Sequence, residues 1–483
     1  MSSSKVETVS TFSRRDVLRA SAAAGTLAAI GGVPAAMAGV PGGGGGTHPR
    51  VRHPDSRPFP HKPAGHADES MPFDHIVVLM MENHSFDHYL GMLPKHGQPK
   101  ADGFTFRNGK PINSNPLHGK KVKAYKLHDP CQPADSGSQS WNDSHTQING
   151  GRMNGFAVTG TGSMGYYTPE TLPFYYGLAK TFTLANRWFC STPCQTYPNR
   201  RFLMAGTAYG LISTDSASLL DPPPPNGTIF DRLSHYGVSW RNYFSDLPAT
   251  GIIPSIIKTN PSHITHVSQF FTDAAHGTLP AVSFVDPEFG ALDDVAGPIS
   301  SSPDPTLNQY ARFIRAQGGD EENPQDVQVG EAFVAKVVNA VMSSPKWSRT
   351  LLVWTYDEHG GYYDHVPPPR VIAPDRIKPV LPAGSAKGNY TLLGPRVPAV
   401  VVSPHAKPNA VTNVVHDHTS VLATIEAKWN LPALTYRDAN AATMLDFLDL
   451  KRRPHFADPP TLPKAAKPLA AEKACAAKDP SGG

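Results

Sequence analysis

Two apolar runs in this chain end in acids. IVVLMM at 76–81 is followed at once by Glu82 and Asn83, and LLVW at 351–354 is followed, after Thr355 and Tyr356, by Asp357 and Glu358. Apolar runs of this length, bounded by polar and glycine residues, predict strands buried on both faces. Their ends therefore lie near a core, where a carboxylate is costly to ionise and adjacent carboxylates repel. A cation or strong donors must compensate. A third run, RVPAVVVSPHA, ends its strand at Ser403-Pro404-His405. Before the second run, Phe333, Val334, Val337, Val338 and Val341 recur at the spacing of an amphipathic helix over Val327–Met342 that stops at Ser344-Pro345. Helix followed by fully apolar strand predicts an α/β fold, with a mostly parallel central sheet covered by helices on both faces. In such open sheets ligands bind beyond the carboxyl ends of the strands, where Glu82, Asn83, Asp357 and Glu358 fall. A helix is expected to start around Ser85, with Phe86, Tyr89 and Leu90 on its apolar side.

The 483 residues, 39% of them hydrophobic, suffice for one large domain, and the 49 prolines and 41 glycines predict long shaped loops. A formal charge of +4 lacks the basic excess of a nucleic-acid binder. Residues 1–38 hold SRRDVLRA, an Ala-rich stretch and Ala36-Met37-Ala38, in the order of an export signal. They resemble the twin-arginine type, with Arg14-Arg15 as the pair, so the protein is expected to be exported and to be periplasmic, cell-surface or secreted. Pro34 and the Ala/Gly content make a poor permanent membrane helix, and no transmembrane anchor is expected. Residues 39–70 read as a Gly/Pro/His-rich linker, 71–453 as a single catalytic domain and 454–483 as a Pro/Ala/Lys-rich tail. The four cysteines, Cys131, Cys190, Cys194 and Cys475, permit up to two disulfides, with three possible full pairings. Cys190 and Cys194 have no second pair at zinc spacing.

Three carboxylates and an amide oxygen at two strand ends suit one divalent metal ion, with zinc, manganese, magnesium, calcium and iron all compatible. Either pair alone would as readily cap a helix or face an arginine; two pairs at equivalent strand ends favour a site. Thr196 lies in WFCSTPCQTYPNRRFLMAGT, between Pro193 and Pro198 and before a helix expected from about Asn199. A hydroxyl near a cation is a strengthened nucleophile, and a helix start favours an anionic substrate. Ser191 and Thr192 compete for that role, and Thr196 or Asn199 could instead cap the helix. His145 sits in an Asn/Ser/Gly-rich loop, and His416 and His418 flank Asp417. His84 and His88, four apart, read as structural or supporting residues. His359 is placed to contact the site, and His365 to orient its loop.

MENHSFDHYLG, TYPNR, NGGRMNGF, TYDEHGGYYDHVPPP, GPRVPAVVVSPHA and HDHTSVLATIE together resemble the bacterial phosphoesterase family of non-haemolytic phospholipases C and a related acid phosphatase, from about Phe73 to Leu431. The resemblance implies an alkaline-phosphatase-like core and hydrolysis of phosphate esters. It also implies Glu82, Asn83, Asp357, Glu358 and Thr196 around the metal, with Thr196 as nucleophile and Asn83 and His145 on the phosphate or its proton. Arg200, His359 and His418 are further substrate or supporting positions. Two departures stand out: Asn323 occupies the place of a common family histidine, and Gln139 precedes Ser140-Trp141 where many relatives have His. Phospholipases of the family often continue into β-rich domains, so the short stretch after Arg453 points toward the phosphatase-like members. The expected partner is a phosphate ester, including phospholipid at a membrane surface. The alternative is a broad acid phosphatase acting on monoesters. From a different class, a non-catalytic secreted metal-binding module would have no use for Thr196.

Overall fold

The computed structural model describes residues 51–133, 135–289, 319, 321, 325–468 and 475. The expected export signal, the first part of the expected linker and Asn323 lie outside the described residues. Eight strands form one sheet: β1 (His75–Met81), β2 (Thr183–Ala185), β3 (Trp240–Phe244), β4 (Ile264–His266), β5 (Val282–Val285), β6 (Thr350–Tyr356), β7 (Ala399–Val402) and β8 (Val411–Thr412). Their spatial order is β4, β3, β5, β1, β6, β7, β2, β8. Every residue of β6 is buried, so both pleated faces are covered and the strand reads as continuously apolar.

The helices follow from the same patterning. Ser85 caps α1 (Phe86–Leu90), its hydroxyl accepting from His88 N at 3.2 Å. Further along the chain come α2 (Trp141–Ile148), α3 (Pro173–Thr181), α4 (Thr196–Ala205), α5 (Val327–Met342) and α6 (Thr419–Trp429). The valine spacing predicted α5, and Asp326 starts it by accepting from Gln328 N. The α5 helix leads through Trp347–Arg349 into β6, as a helix-then-strand unit requires. Tyr175 of α3 lies against Trp354 of β6, ring centroids 4.5 Å apart.

One pairing positions the site. β1 and β6 run parallel in a register that matches His75 with Thr350 and Met81 with Tyr356. The two strands end level, so Glu82 and Asn83 emerge beside Asp357 and Glu358.

The structure departs from expectation in three places. β7 is antiparallel to both β6 and β2, although its apolar run resembles the parallel ones. A parallel return needs a covering crossover, and no helix stands between β6 and β7. Secondly, part of the expected 39–70 linker is fastened down. Asn430 accepts from Phe59 N and donates to the carbonyls of Phe59, Lys62 and Pro63 at 2.9–3.0 Å, while buried Lys428 reaches Asp68 O at 3.0 Å. Its prolines remove backbone donors, and one side-chain amide meets much of the remaining demand. Thirdly, the expected tail packs on the body. Phe456 stacks near Phe182 at 4.7 Å, Ala466 N donates to Glu331 at 3.1 Å, and Cys475 is disulfide-bonded to Cys131. Cys190 and Cys194 are buried free thiols.

Asn430→Ala removes four hydrogen bonds and puts alanine, which tolerates the left-handed region less well than asparagine, at a φ of 48°. Urea unfolding should show a loss of about 3 kcal/mol, with faster proteolysis between residues 51 and 63.

Candidate active site

Asp357 and Glu82 face each other across the β1–β6 strand ends with Arg200 between them. The Arg200 guanidinium donates from Nε to Asp357 Oδ2 at 3.0 Å and from Nη2 to Met81 O at 3.2 Å, and Nη2 lies 3.5 Å from Glu82 Oε2. Arg200 and Asp357 are buried, at 2% and 0% exposure. Burial pushes the Asp357 carboxyl up, against the lowering effect of Arg200 and of the N–H groups of Asn83 and Glu358, which donate to its Oδ1 at 3.3 and 2.7 Å. Burial likewise acts to lower the Arg200 pKa, but the charges of Asp357 and Glu82 hold it above its ordinary value. The adjacent acids are tolerated because one of them is locked to a guanidinium and two backbone donors.

Thr196 Oγ1 donates to Glu82 Oε1 at 2.8 Å. The helix begins at Thr196 itself rather than near Asn199. Pro198 is accommodated because the first turn has no intrahelical use for its missing N–H. Asn199 caps nothing; its side chain braces the preceding loop, donating to Thr192 O, Cys194 O and Gln195 O and accepting from Thr192 N. Thr196 is 8% exposed whereas Ser191 and Thr192 are fully buried, so of the three hydroxyls only Thr196 combines access with a carboxylate partner.

Asn83 takes a φ of 67°, and its buried Oδ1 meets no hydrogen-bond donor among the described residues. Gly360 explains the glycines after Asp-Glu-His. At φ 63° its position for a Cβ lies 1.9 Å from Asn83 O, so the DEHGG turn presses on Asn83 in a way only glycine permits. Gly360 N donates to Glu358 Oε2 at 2.8 Å, and His359 Nδ1 lies 3.4 Å from the same oxygen.

The histidines divide by burial. His359 donates from Nε2 to Gln147 Oε1 at 2.6 Å, and His418 from Nε2 to Asp357 O at 2.6 Å. Burial lowers their pKa values to about 3 and about 4, so both are neutral. His84 and His88 stack on each other and on Tyr362 in the core, neutral for the same reason. His416 bonds Ser420 and Asp446. His145 differs from expectation: its Nδ1 donates to Trp141 O at 2.7 Å, and no hydrogen bond joins it to the acids among the described residues. Its i to i−4 bond turns the ring back along its own helix. The α2 residue that does reach the acid loop is Gln147, which residue type alone does not mark, since amides on short helices ordinarily face water.

Two supporting clusters were also hidden in the sequence. Tyr89, Tyr175 and Tyr356 all donate to the buried Glu321 carboxylate at 2.5–2.7 Å, directly behind Asp357. Burial raises the pKa of Glu321 to about 8. Asp87, Asp364 and His365 bring ligand atoms within 4.8 Å of one another. Arg396 fills that space, however, bonding Asp364 at 2.6 and 2.9 Å and approaching Asp87 at 3.4 Å, which makes it an ion-pair network. The acids at the strand ends are not drawn so close, because Arg200 stands between Glu82 and Asp357.

The sequence model of the Phosphoesterase family matches residues 73–432. Non-specific phospholipase C1 of Arabidopsis thaliana is 31% identical over 84% of this chain and 75% of its own length. Non-hemolytic phospholipase C of Burkholderia pseudomallei is 30% identical over 74% of this chain and 55% of its own length. Phospholipase C B of Mycobacterium tuberculosis is 26% identical over 80% and 79%. A solved structure of a protein in the alkaline phosphatase superfamily from Vibrio parahaemolyticus aligns over 74% of this chain and 78% of that one, with 9% identity and a TM-score of 0.32, a likeness that carries no argument.

His365 gives the ion-pair network a pH signature. Burial alone would lower its pKa, but the Asp87 charge and the bonds to Asp102 and Asp87 raise it to about 10. The stabilisation is complete below the ordinary histidine value of 6.5 and is lost as pH rises toward 10. Thermal unfolding of the protein should therefore fall through that window, and His365→Asn should flatten the slope.

Proposed function

The chain belongs to the Phosphoesterase family and is a hydrolase of phosphoric esters, and on that premise we propose that it cleaves phospholipids in the manner of a phospholipase C, with Thr196 as nucleophile. The observation that carries the assignment is the 2.8 Å bond from Thr196 Oγ1 to Glu82 Oε1, made by the most exposed of the three candidate hydroxyls. Glu82 orients the oxygen and takes its proton as the bond from Oγ1 to phosphorus forms. The bond from phosphorus to the diacylglycerol oxygen breaks in line, and water then frees the phosphorylated head group from Thr196. Arg200, fixed by Asp357 and Glu82, adds positive charge beneath the reacting phosphoryl group.

The donor set fits one hard divalent cation. Glu82, Asp357, Glu358, Thr196 and Asn83 offer oxygen only, Arg200 pairs with just two of the three carboxylates, Glu82 and Asp357, and the buried Asn83 amide oxygen has no donor among the described residues. Those five residues would hold it, and when bound it would supply Lewis-acid stabilisation of the phosphoryl oxygens. Asn83 would contact the transferred group from its left-handed strand end. His145, half-buried on α2, is retained as the candidate acid for the leaving alcohol. Export by the twin-arginine route is part of the same proposal, resting on the Arg14-Arg15 segment.

The relatives named as phospholipases C support diester over monoester cleavage. Nitrophenyl phosphocholine should therefore be turned over faster than nitrophenyl phosphate. Thr196→Ala should lose at least about a thousandfold in kcat, with Thr196→Ser partly active. Near-normal turnover by Thr196→Ala would remove the nucleophile assignment, and preference for the monoester would make the protein an acid phosphatase.

A further inference from the structure

Resting on the phospholipase reading, we infer that the loops beside Thr196 dock the protein on an anionic bilayer surface. Leu220 is 89% exposed and Val380 73%, the highest values among the large hydrophobic side chains described. A single exposed apolar side chain is ordinary on a protein surface, so what counts is where these two stand. Both residues stand on one scaffold. Arg201, on the helix that Thr196 opens, donates to Ser218 O at 2.8 Å and to Asp221 at 3.0 Å, on either side of Leu220, and lies over the Tyr209 ring at 4.3 Å. Val380 N donates to Gly210 O at 2.8 Å, next to Tyr209.

The inner side of the same scaffold reaches the site. Leu381 and Ala386 pack with Trp141, Cys194 and Ile212, and Thr214 N donates to Gln195, the residue before Thr196. The outward tips and the nucleophile are thus anchored to the same short stretch of chain.

Charge decides the partner. Arg376, Lys378 and Lys387 are exposed around Ile377 and Val380, and among the described residues none of the three cations is engaged in an ion pair. The neighbouring acids are engaged by donors: Asp375 accepts from Thr207 Oγ1 and Ile377 N, Asp221, though 41% exposed, is paired with Arg201, and Asp215 accepts from Ala217 N. Apolar tips with exposed cations beside Ile377 and Val380 suit a headgroup layer, where the cations meet anionic lipid and the tips enter the acyl boundary. A contiguous apolar patch, as a protein partner would need, is not formed by these tips. The chemistry also asks for a membrane: the diacylglycerol released remains in the bilayer, so the site must lie against it.

The test is sedimentation of the full chain with vesicles of equal parts phosphatidylcholine and phosphatidylglycerol. The variant Leu220→Asp with Val380→Asp should bind about tenfold more weakly or worse, and Arg376→Gln with Lys378→Gln and Lys387→Gln should lose the preference for phosphatidylglycerol over pure phosphatidylcholine. Both should turn over nitrophenyl phosphocholine like the parent, which also reports an intact fold. Unchanged vesicle binding by the Leu220/Val380 variant overturns the inference and would leave the loops as a surface for another protein. A parent chain that binds vesicles through these residues yet hydrolyses no soluble ester supports the docking face while contradicting the catalytic proposal.

Discussion

The bond between the Arg200 guanidinium and the Asp357 carboxylate is what the rest of the site is built around. It joins the end of β6 to the helix that Thr196 opens, and through Nη2 it also holds Met81 O and Glu82 at the end of β1. A charge as buried as Asp357 would be untenable alone; removal of its partner would leave an uncompensated ion in the core. With Arg200 in place, three segments remote in sequence are fixed relative to one another, and the Thr196 hydroxyl lands on the Glu82 carboxylate.

That bond depends in turn on strand register. Met81 pairs with Tyr356, so a slip of one residue in either strand would turn Glu82 or Asp357 to the opposite face. Register is held by apolar side chains on both faces of β1 and β6 and, beneath Asp357, by Glu321 collecting three tyrosine hydroxyls. Beyond the strand ends, the close approach of Gly360 to Asn83 and the Asp87, Asp364, His365 and Arg396 network fasten the DEHGGYYDH turn against α1. The turn is a surface connection in sequence and a buried one in space. Its glycines allow that burial, and its acids are the ones on which the proposed function rests.

What could be read from the chain alone follows this division. Strands β1 and β6, helix α5 and the acids at the strand ends were legible because burial on both faces and helical spacing leave local signatures. Ser85 was legible as a cap for the same reason. The direction of β7 was not, since an apolar run carries no mark of its polarity. Nor were Gln147, Glu321 or the fastening of Phe59 and Lys62 by Asn430, each of which joins segments far apart through one polar side chain of ordinary type. His145 shows the converse: the sequence context read as a loop, whereas helix formation over Trp141–Ile148 supplied its Nδ1 with a local carbonyl.

In the proposed function the acids and Asn83 form a cation site with Arg200 as its fixed counter-charge. Elemental analysis of the purified protein after dialysis against a metal-free buffer addresses it most directly. One tightly held divalent ion per chain is expected, lost in Asn83→Ala and Glu358→Gln with secondary structure retained. An ion-free parent chain that hydrolyses phosphate esters undiminished in the presence of a chelator would contradict it.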